Sequence, residues 1–196
     1  MLKALREHGG NDLESKYYFA HEEDDHDHVK YLFFAHPESL KYFQKNPDIF
    51  LLDCTYKTNK FKMPFLHAVD VTNTGHNFEL AYYFLPGETE GDYNFAIRQI
   101  HLLYSRYNIT LKVIITDKEQ ALKNALRRYF PLVPQLLCLW HIAKNALTHV
   151  QDNWIIRADQ MDEEKTKAQE HRDNFMKRWA DCYSQKSSKK FTAAWD

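Results

Sequence analysis

The feature that most constrains this sequence is a short apolar run, from Ile49 to Cys54, that carries a carboxylate at Asp53. A run of this length between polar flanks is typical of a buried β-strand. A carboxylate inside such a strand is costly unless it has an ion-pair partner, a hydrogen-bond donor or a metal ion. The run alone is equally consistent with a core acid that pairs within the fold and with an acid that carries function.

Composition limits the class of protein. The chain has 196 residues, 44% of them hydrophobic, which suffices for one domain with a substantial core. No apolar stretch approaches the roughly 18 residues of a membrane span, and the N-terminus has no signal-peptide pattern. Three widely spaced cysteines, Cys54, Cys138 and Cys182, suit a reducing compartment.

The charge distribution bears on partners. The net charge of −1 shows no overall bias toward nucleic acid. Residues 55–150, however, carry 11 Lys and Arg against 7 Asp and Glu. This mildly basic middle region is compatible with a phosphate-backbone partner without requiring one.

Hydrophobic periodicity and turn residues divide the chain into three parts. Residues 1–35 form a polar segment with a hairpin at 17–35, residues 36–150 form an α/β core, and residues 151–196 form a densely charged helical region. The core begins with a short helix at Pro37, which Pro47 ends. The strands predicted after it are the Asp53 run, 64–72, 78–85, 111–116 and 136–140, and the helices are 92–107, 118–130 and one directly after residue 140.

The order of these elements predicts a fold. Three antiparallel strands are followed by βαβ crossovers that add parallel strands. This is the order of the ribonuclease H-like fold, with a mixed five-stranded sheet flanked by helices. In that layout the first and fourth strands are neighbours, which brings Asp53 together with Asp117, the residue that follows the fourth strand.

Asp117 also has a purely structural explanation. It lies between a strand and a helix, with Gln120 three residues later, and an Asp there is a suitable helix N-cap. The pairing with Asp53 favours a functional explanation. Two adjacent carboxylates repel each other unless a divalent cation lies between them. Such a pair suits two-metal phosphoryl transfer, with Mg²⁺ or Mn²⁺ as the cofactor.

Three ordered motifs resemble one family. They are D-x-T-Y-K-T-N at Asp53–Asn59 followed by Met63-Pro64, I-I-T-D at Ile114–Asp117 followed by Ala121-Leu122, and C-L-W-H-I-A-K-N at Cys138–Asn145. Together they resemble the MULE transposase domain, the catalytic domain of Mutator-like element transposases, over roughly residues 30–150.

The resemblance implies a ribonuclease H-like core with a DDE triad that binds Mg²⁺ or Mn²⁺. It further implies cleavage of double-stranded DNA at transposon ends, joining of the freed 3′-hydroxyl to target DNA, a nuclear location, and a homo-oligomer at full length. Asp53 and Asp117 match the first two acids. We expect the third acid beyond residue 196, because residues 151–196 resemble the start of the family's helical insertion and Glu163, Glu164 and Glu170 are unconvincing candidates.

Other residues of the motifs also have candidate roles. Lys57, Asn59, Lys60 and Lys144 are candidate DNA contacts, with Lys62 beside them, although surface lysines are often only solvated. Cys138 and His141 form half of a zinc site and no second pair follows, so we expect no zinc. Trp140 alternates with Cys138 on the predicted fifth strand, which favours a core position over base stacking.

Two alternative functions compete with the transposase. One is a domesticated, non-catalytic DNA-binding or transcription regulator, similar to the plant far-red-response transcription factors that derive from these transposases. The other is a ribonuclease H-like nuclease acting on RNA–DNA hybrids, against which the D-T-Y-K-T-N and C-x-x-H runs argue. Without a third acid, we expect residues 1–196 to bind DNA weakly and salt-sensitively and not to cut it.

Overall fold

The structure is a computed structural model that describes residues 9–10, 17–26, 28–55, 58–154 and 161–195. Its strands are β1 (Gly9–Gly10), β2 (Tyr17–Glu23), β3 (Val29–Ala35), β4 (Ile49–Thr55), β5 (Phe65–Val71), β6 (Asn77–Phe84), β7 (Val113–Thr116) and β8 (Gln135–Leu137). Its helices are α1 (Pro37–Lys45), α2 (Glu90–Arg106), α3 (Gln120–Tyr129), α4 (Leu139–Asn153), α5 (Asp162–Tyr183) and α6 (Ser188–Trp195).

The strands form one mixed sheet in the order β1-β2-β3-β6-β5-β4-β7-β8. β4 pairs antiparallel with β5 and parallel with β7, so the predicted neighbours of the Asp53 strand are confirmed. The predicted count of five strands is wrong. The β2–β3 hairpin does not stand apart from the core, because β3 pairs antiparallel with the edge of β6, and the two-residue β1 pairs with β2.

One face of this sheet is covered by helices. Phe50 of β4 and Ile114 of β7 are fully buried there, and the ring of Tyr104 on α2 lies 6.4 Å from that of Phe50. Two features fix the start of α2: the side chains of Thr89 and Asp92 form a capping box, and the hydroxyl of Tyr31 donates to Asp92 Oδ1 over 2.8 Å. We call this side the helix-covered face.

The other side carries Asp53, which pairs with His67 of β5, and we call it the Asp53 face. His67 pairs in turn with Tyr82 of β6, and Tyr82 with Phe34 of β3. All four side chains are partly exposed, whereas their neighbours along each strand point into the core. The ring centroids of Phe34 and Tyr82 are 5.2 Å apart.

The predicted fifth strand is too long. β8 ends at Leu137, and α4 begins at Leu139, so Trp140 is helical and does not alternate with Cys138 on a strand. Only one further ladder bond follows β8, from the Cys138 N–H to the Thr116 carbonyl at 2.7 Å. The prediction failed because a short apolar run such as L-L-C-L-W fits a helix start as well as a strand.

The chain separates into two compact units, Met1–Cys138 and Leu139–Asp196. The first holds the sheet with α1 to α3, and the second holds α4, α5 and α6. Within the second unit, the indole N–H of Trp154 donates to the Ala168 carbonyl at 3.0 Å, and the ring of Phe175 lies 6.2 Å from that of Trp154. The domain boundaries placed after residues 35 and 150 stay predictions. Within the described ranges, no helix has the length and apolarity to cross a membrane.

Candidate active site

Asp53 lies near the carboxyl end of β4, with its side chain half-buried on the Asp53 face. Directly opposite it on β5 is His67, whose Nδ1 is 3.5 Å from Oε2 of Glu79. The residues on either side of Asp53 along β4, Leu52 and Cys54, belong to the helix-covered face. Strand alternation therefore places this carboxylate among partly solvated polar groups instead of in the core.

Asp117 follows β7 and shapes the turn into α3. Its Oδ1 accepts hydrogen bonds from the Glu119 N–H at 3.1 Å and from the Thr116 hydroxyl at 3.4 Å. The purely structural alternative, an N-cap role for Asp117, does not apply, since Glu119 caps α3 through its carboxylate and the Ala121 N–H at 3.1 Å. An aspartate that accepts from the N–H two residues later forms an Asx turn, which fixes its own orientation.

The strand register relates the two acids. Leu51 of β4 pairs in parallel with Ile115 of β7, and each acid lies two residues beyond its member of this pair. Parallel neighbours lie about 4.8 Å apart, and their carboxyl ends meet at the same end of the sheet. The predicted pair is therefore carried on adjacent strand ends.

A third acid near this end was not found from the sequence. Glu88 precedes α2, and its Oε1 accepts from the Tyr93 hydroxyl at 2.9 Å. Burial raises the pKa of the Cys54 thiol to about 12, with further contributions from the charges of Glu88 and Asp117. Cys54 therefore stays protonated at neutral pH and is not a nucleophile. No local pattern distinguishes Glu88, because only the tertiary fold brings it to Cys54.

The chemistry of the donors fits a hard divalent cation. Carboxylate oxygens are the ligands that Mg²⁺ and Mn²⁺ prefer, and two of them hold such an ion weakly, with water completing its shell. In the described ranges, no group of three or more His, Cys, Asp and Glu side chains is arranged to hold a metal. Glu163 instead pairs with Lys167 on α5 at 2.9 Å, so it serves that helix.

The structure places the candidate DNA contacts of the β4–β5 connection differently. Lys57 falls outside the described residues. Asn59 organises the β4–β5 turn, because its Oδ1 accepts from the N–H groups of Phe61 and Met63, both at 3.1 Å, and its Nδ2 donates to the Met63 carbonyl at 2.7 Å. Lys60 is exposed, and its Nζ lies 4.9 Å from the centre of the Phe61 ring.

The C-x-x-H run spans the junction of the two units. Cys138 is half-buried at the end of β8. Trp140 on α4 is 60% exposed, so the predicted core position is wrong. The Lys144 Nζ lies 4.8 Å from the centre of the Trp140 ring, and the centre of the His141 ring also lies 4.8 Å from it, with the two rings edge to face.

The topology defines an α/β protein with one acid, Asp53, near the carboxyl end of β4 and another, Asp117, directly after its parallel neighbour β7. Residues 49–145 match the family model of the MULE transposase domain, and this segment includes both Asp53 and Asp117. The chain thus belongs, through this segment, to the MULE transposase domain family, as its motifs predict.

Two relatives match parts of the chain, and the second of them supports the assignment. Over 105 residues the chain is 29% identical to the PKS-NRPS hybrid synthetase cheA of Chaetomium globosum, covering 53% of this chain and 2% of that protein. Over 122 residues it is 26% identical to Protein FAR1-RELATED SEQUENCE 5 of Arabidopsis thaliana, covering 61% of this chain and 15% of that protein. The chain therefore spans only a small part of each relative.

Proposed function

We propose that the β4–β8 part of the sheet is a ribonuclease H-like catalytic core that supports metal-dependent cleavage and transfer of DNA strands in transposition. The observation that carries the proposal is that Asp53 in β4 and Asp117 directly after β7 each lie two residues beyond Leu51 and Ile115, the last pair of this parallel ladder. The strand order β6-β5-β4-β7-β8, with β5 antiparallel to its neighbours, supports the assignment of the core. The partner would be double-stranded DNA in the nucleus.

In this proposal the two acids hold Mg²⁺ or Mn²⁺. Both hydrogen bonds that Asp117 makes within the described residues go to Oδ1, which leaves Oδ2 as a ligand oxygen. The β4–β7 pairing puts Asp53 at the same end of the sheet, which supports this ligand set. When bound, the cation activates water and then the DNA 3′-hydroxyl, and stabilises the charge that develops on the phosphate oxygens.

The test is Mn²⁺ titration of the ¹⁵N-labelled chain, with paramagnetic broadening of amide signals as the readout. We expect millimolar binding, because few protein ligands replace the ion's water. Broadening should centre on the carboxyl ends of β4 and β7, and Asp53→Asn and Asp117→Asn should abolish it. Asp48→Asn is the matched control, because Asp48 precedes the opposite end of β4 and is half-exposed beside Lys112. Broadening centred elsewhere, or unchanged by Asp53→Asn, would contradict the proposal.

The absence of a three-ligand group among the described residues favours a second candidate, the non-catalytic DNA-binding regulator. Incubation with element-end duplex DNA in Mn²⁺ separates the two. We expect the 196-residue chain to bind this DNA weakly and salt-sensitively and not to cut it. Cleavage that Asp117→Ala abolishes would show that a third ligand lies within the chain, and Glu88 would be substituted first, before Glu163, Glu164 and Glu170.

A further inference from the structure

A cleft of about 870 Å³ opens on the first unit, at the end of the sheet where β3 starts and β6 finishes. Its volume is in the range of small-molecule sites, which is roughly 300–1,000 Å³. The side chains that matter most to its chemistry come from β3, β6 and the β4–β5 turn. They are Lys30, Leu32, Lys60, Phe61, Met63 and Phe84.

The strand register places this cleft next to the paired acids. Leu32 and Phe84, which line the cleft, are paired across β3 and β6. Phe84 pairs with Phe65, and Phe65 with Thr55, so these four residues form one row across the sheet. On each strand, this row is two residues away from the row that contains Asp53, so both rows lie on the Asp53 face. Two strand spacings, about 10 Å, separate Thr55 from Phe84.

The lining combines apolar surface with positive charge. Phe61 is 73% exposed at the rim, with the Lys60 ammonium 4.9 Å from its ring centre, and Lys30 is exposed on β3. The acid of the rim, Asp24, accepts from the N–H groups of His26 and His28 at 2.9 Å each, so it is engaged in the hairpin turn. Exposed aromatic rings interleaved with lysines are the features that bind single-stranded nucleic acid.

The β4–β5 turn holds Phe61 in place before any ligand arrives. Three hydrogen bonds from Asn59 define residues 59–63, and Lys62 adopts a left-handed φ of 57° within it. An aromatic ring presented on an ordered turn loses little conformational entropy on stacking. A purely apolar ligand would form no ion pair with the two lysines, whereas the phosphates attached to a nucleobase would.

We propose that this cleft binds an unpaired nucleobase of a DNA strand, stacked on Phe61, one or two nucleotides from the phosphate held at Asp53 and Asp117. The inference rests on the proposed function for the position of that phosphate. It assigns Lys30 and Lys60 to the flanking phosphates. The substrate class is therefore DNA with a frayed or single-stranded segment beside the cleavage point.

The test uses a short oligonucleotide that contains 2-aminopurine, titrated with the full chain in EDTA. Stacking quenches 2-aminopurine, so we expect quenching with the single strand and little with the fully paired duplex. Phe61→Ala should weaken single-strand binding about tenfold or more, which is the usual effect of losing a stacking partner. Phe61→Tyr should retain both affinity and quenching. Tyr42→Ala is the control, because Tyr42 is 54% exposed on α1 and does not line the cleft.

Two comparisons separate failure of this inference from failure of the proposed function. Phe61→Ala should weaken binding in EDTA, where no metal is involved, and should keep the Mn²⁺ broadening, whereas Asp53→Asn should abolish that broadening. Equal affinity and quenching for wild type and Phe61→Ala would overturn the cleft assignment and leave the metal site standing. A change in oligomeric state with Phe61→Ala, without loss of DNA binding, would overturn it in favour of a protein occupant. Superimposable amide spectra of the variants exclude misfolding as the cause of lost binding.

Discussion

The two faces of the central sheet place acidic residues in different environments. On the helix-covered face, Phe50 and Asp70 are paired across β4 and β5, and both are fully buried. On the Asp53 face, Asp53 and His67 are paired across the same two strands, and both are partly exposed. The comparison shows that covering by helices decides whether an acid on this sheet is buried in the core or stays accessible to solvent and ions.

Asp70 shows what burial does to a carboxyl group on the helix-covered face. Its Oδ1 accepts from the Val71 N–H at 2.7 Å, and its Oδ2 has no hydrogen-bond partner within the described residues. Burial raises the pKa of Asp70 to about 7, and the charge of Asp48 adds to the shift. The carboxyl is thus mostly protonated below neutrality, unlike an acid that serves as a cation ligand.

The largest expected difference between the faces is in packing energy. Phe50→Ala should lower the free energy of unfolding by about 3–5 kcal/mol, because it opens a cavity in a closed core. Phe65→Ala on the Asp53 face should cost about half as much or less, since less area returns to water. Urea denaturation of both variants provides the measurement. Equal losses would show that the two faces are buried alike.

The next effect is a pH dependence of the free energy of unfolding, which comes from Asp70 on the helix-covered face. Asp70 has an ordinary pKa of 3.8 when unfolded and a pKa of about 7 when folded. Between these values the folded chain holds a proton that the unfolded chain has lost, so stability falls as pH rises from about 4 to about 7 and this contribution is then constant. The slope approaches about 1.4 kcal/mol per pH unit.

The check is the pH profile of unfolding for wild type, Asp70→Asn and Asp53→Asn. We expect Asp70→Asn to flatten the decline and Asp53→Asn to keep it. A decline that survives in Asp70→Asn would assign it to other groups.

A smaller effect concerns the turn beneath the cleft. Asn59→Ala removes three hydrogen bonds that organise residues 59–63, and should cost about 1–2 kcal/mol by thermal unfolding. It should also weaken DNA binding because Phe61 is no longer held, not because a contact to DNA is lost. Asn59→Asp is the informative control, since its carboxylate can still accept from the two N–H groups. Full stability in Asn59→Ala would mean that the turn forms without the amide.

The smallest expected effect separates Asp117 from its neighbour. Glu119→Ala should destabilise the start of α3 by about 0.5–1 kcal/mol, because Glu119 caps the helix. It should leave Mn²⁺ broadening unchanged, whereas Asp117→Asn should abolish it with little change in stability. Loss of metal binding in Glu119→Ala, but not in Asp117→Asn, would show that Glu119 and not Asp117 is the metal ligand.

Much of the core was readable from local patterns. The strands at Asp53, 64–72 and 78–85 and the helix at 92–107 have strong periodicity, and all four are present within a few residues of the predicted bounds. The adjacency of β4 and β7 followed from the ribonuclease H-like layout that the order of the elements predicts. The same layout predicts that Asp53 and Asp117 lie at the same end of the sheet.

What the sequence missed depends on distant contacts. The pairing of β3 with β6 is long-range and has no local signature, so the sheet was predicted too narrow. The sequence did not single out Glu119 as the cap of α3, because either Asp117 or Glu119 can satisfy the first turn and only the backbone geometry decides. Glu88 and the cleft at Phe61 arise from parts of the chain that meet only in three dimensions.

The attachment of the β2–β3 hairpin to β6 has a consequence for how the chain folds. The hairpin is local and fast to form, yet the partner of Leu32 is Phe84, on the far side of β4 and β5 in sequence. During synthesis one edge of β3 therefore stays unpaired until residues 77–84 have left the ribosome. An edge rich in aromatic residues, Y-L-F-F, invites pairing with other chains in that interval. We expect fragments that end before β6 to aggregate, and fragments that include it to stay monomeric far longer.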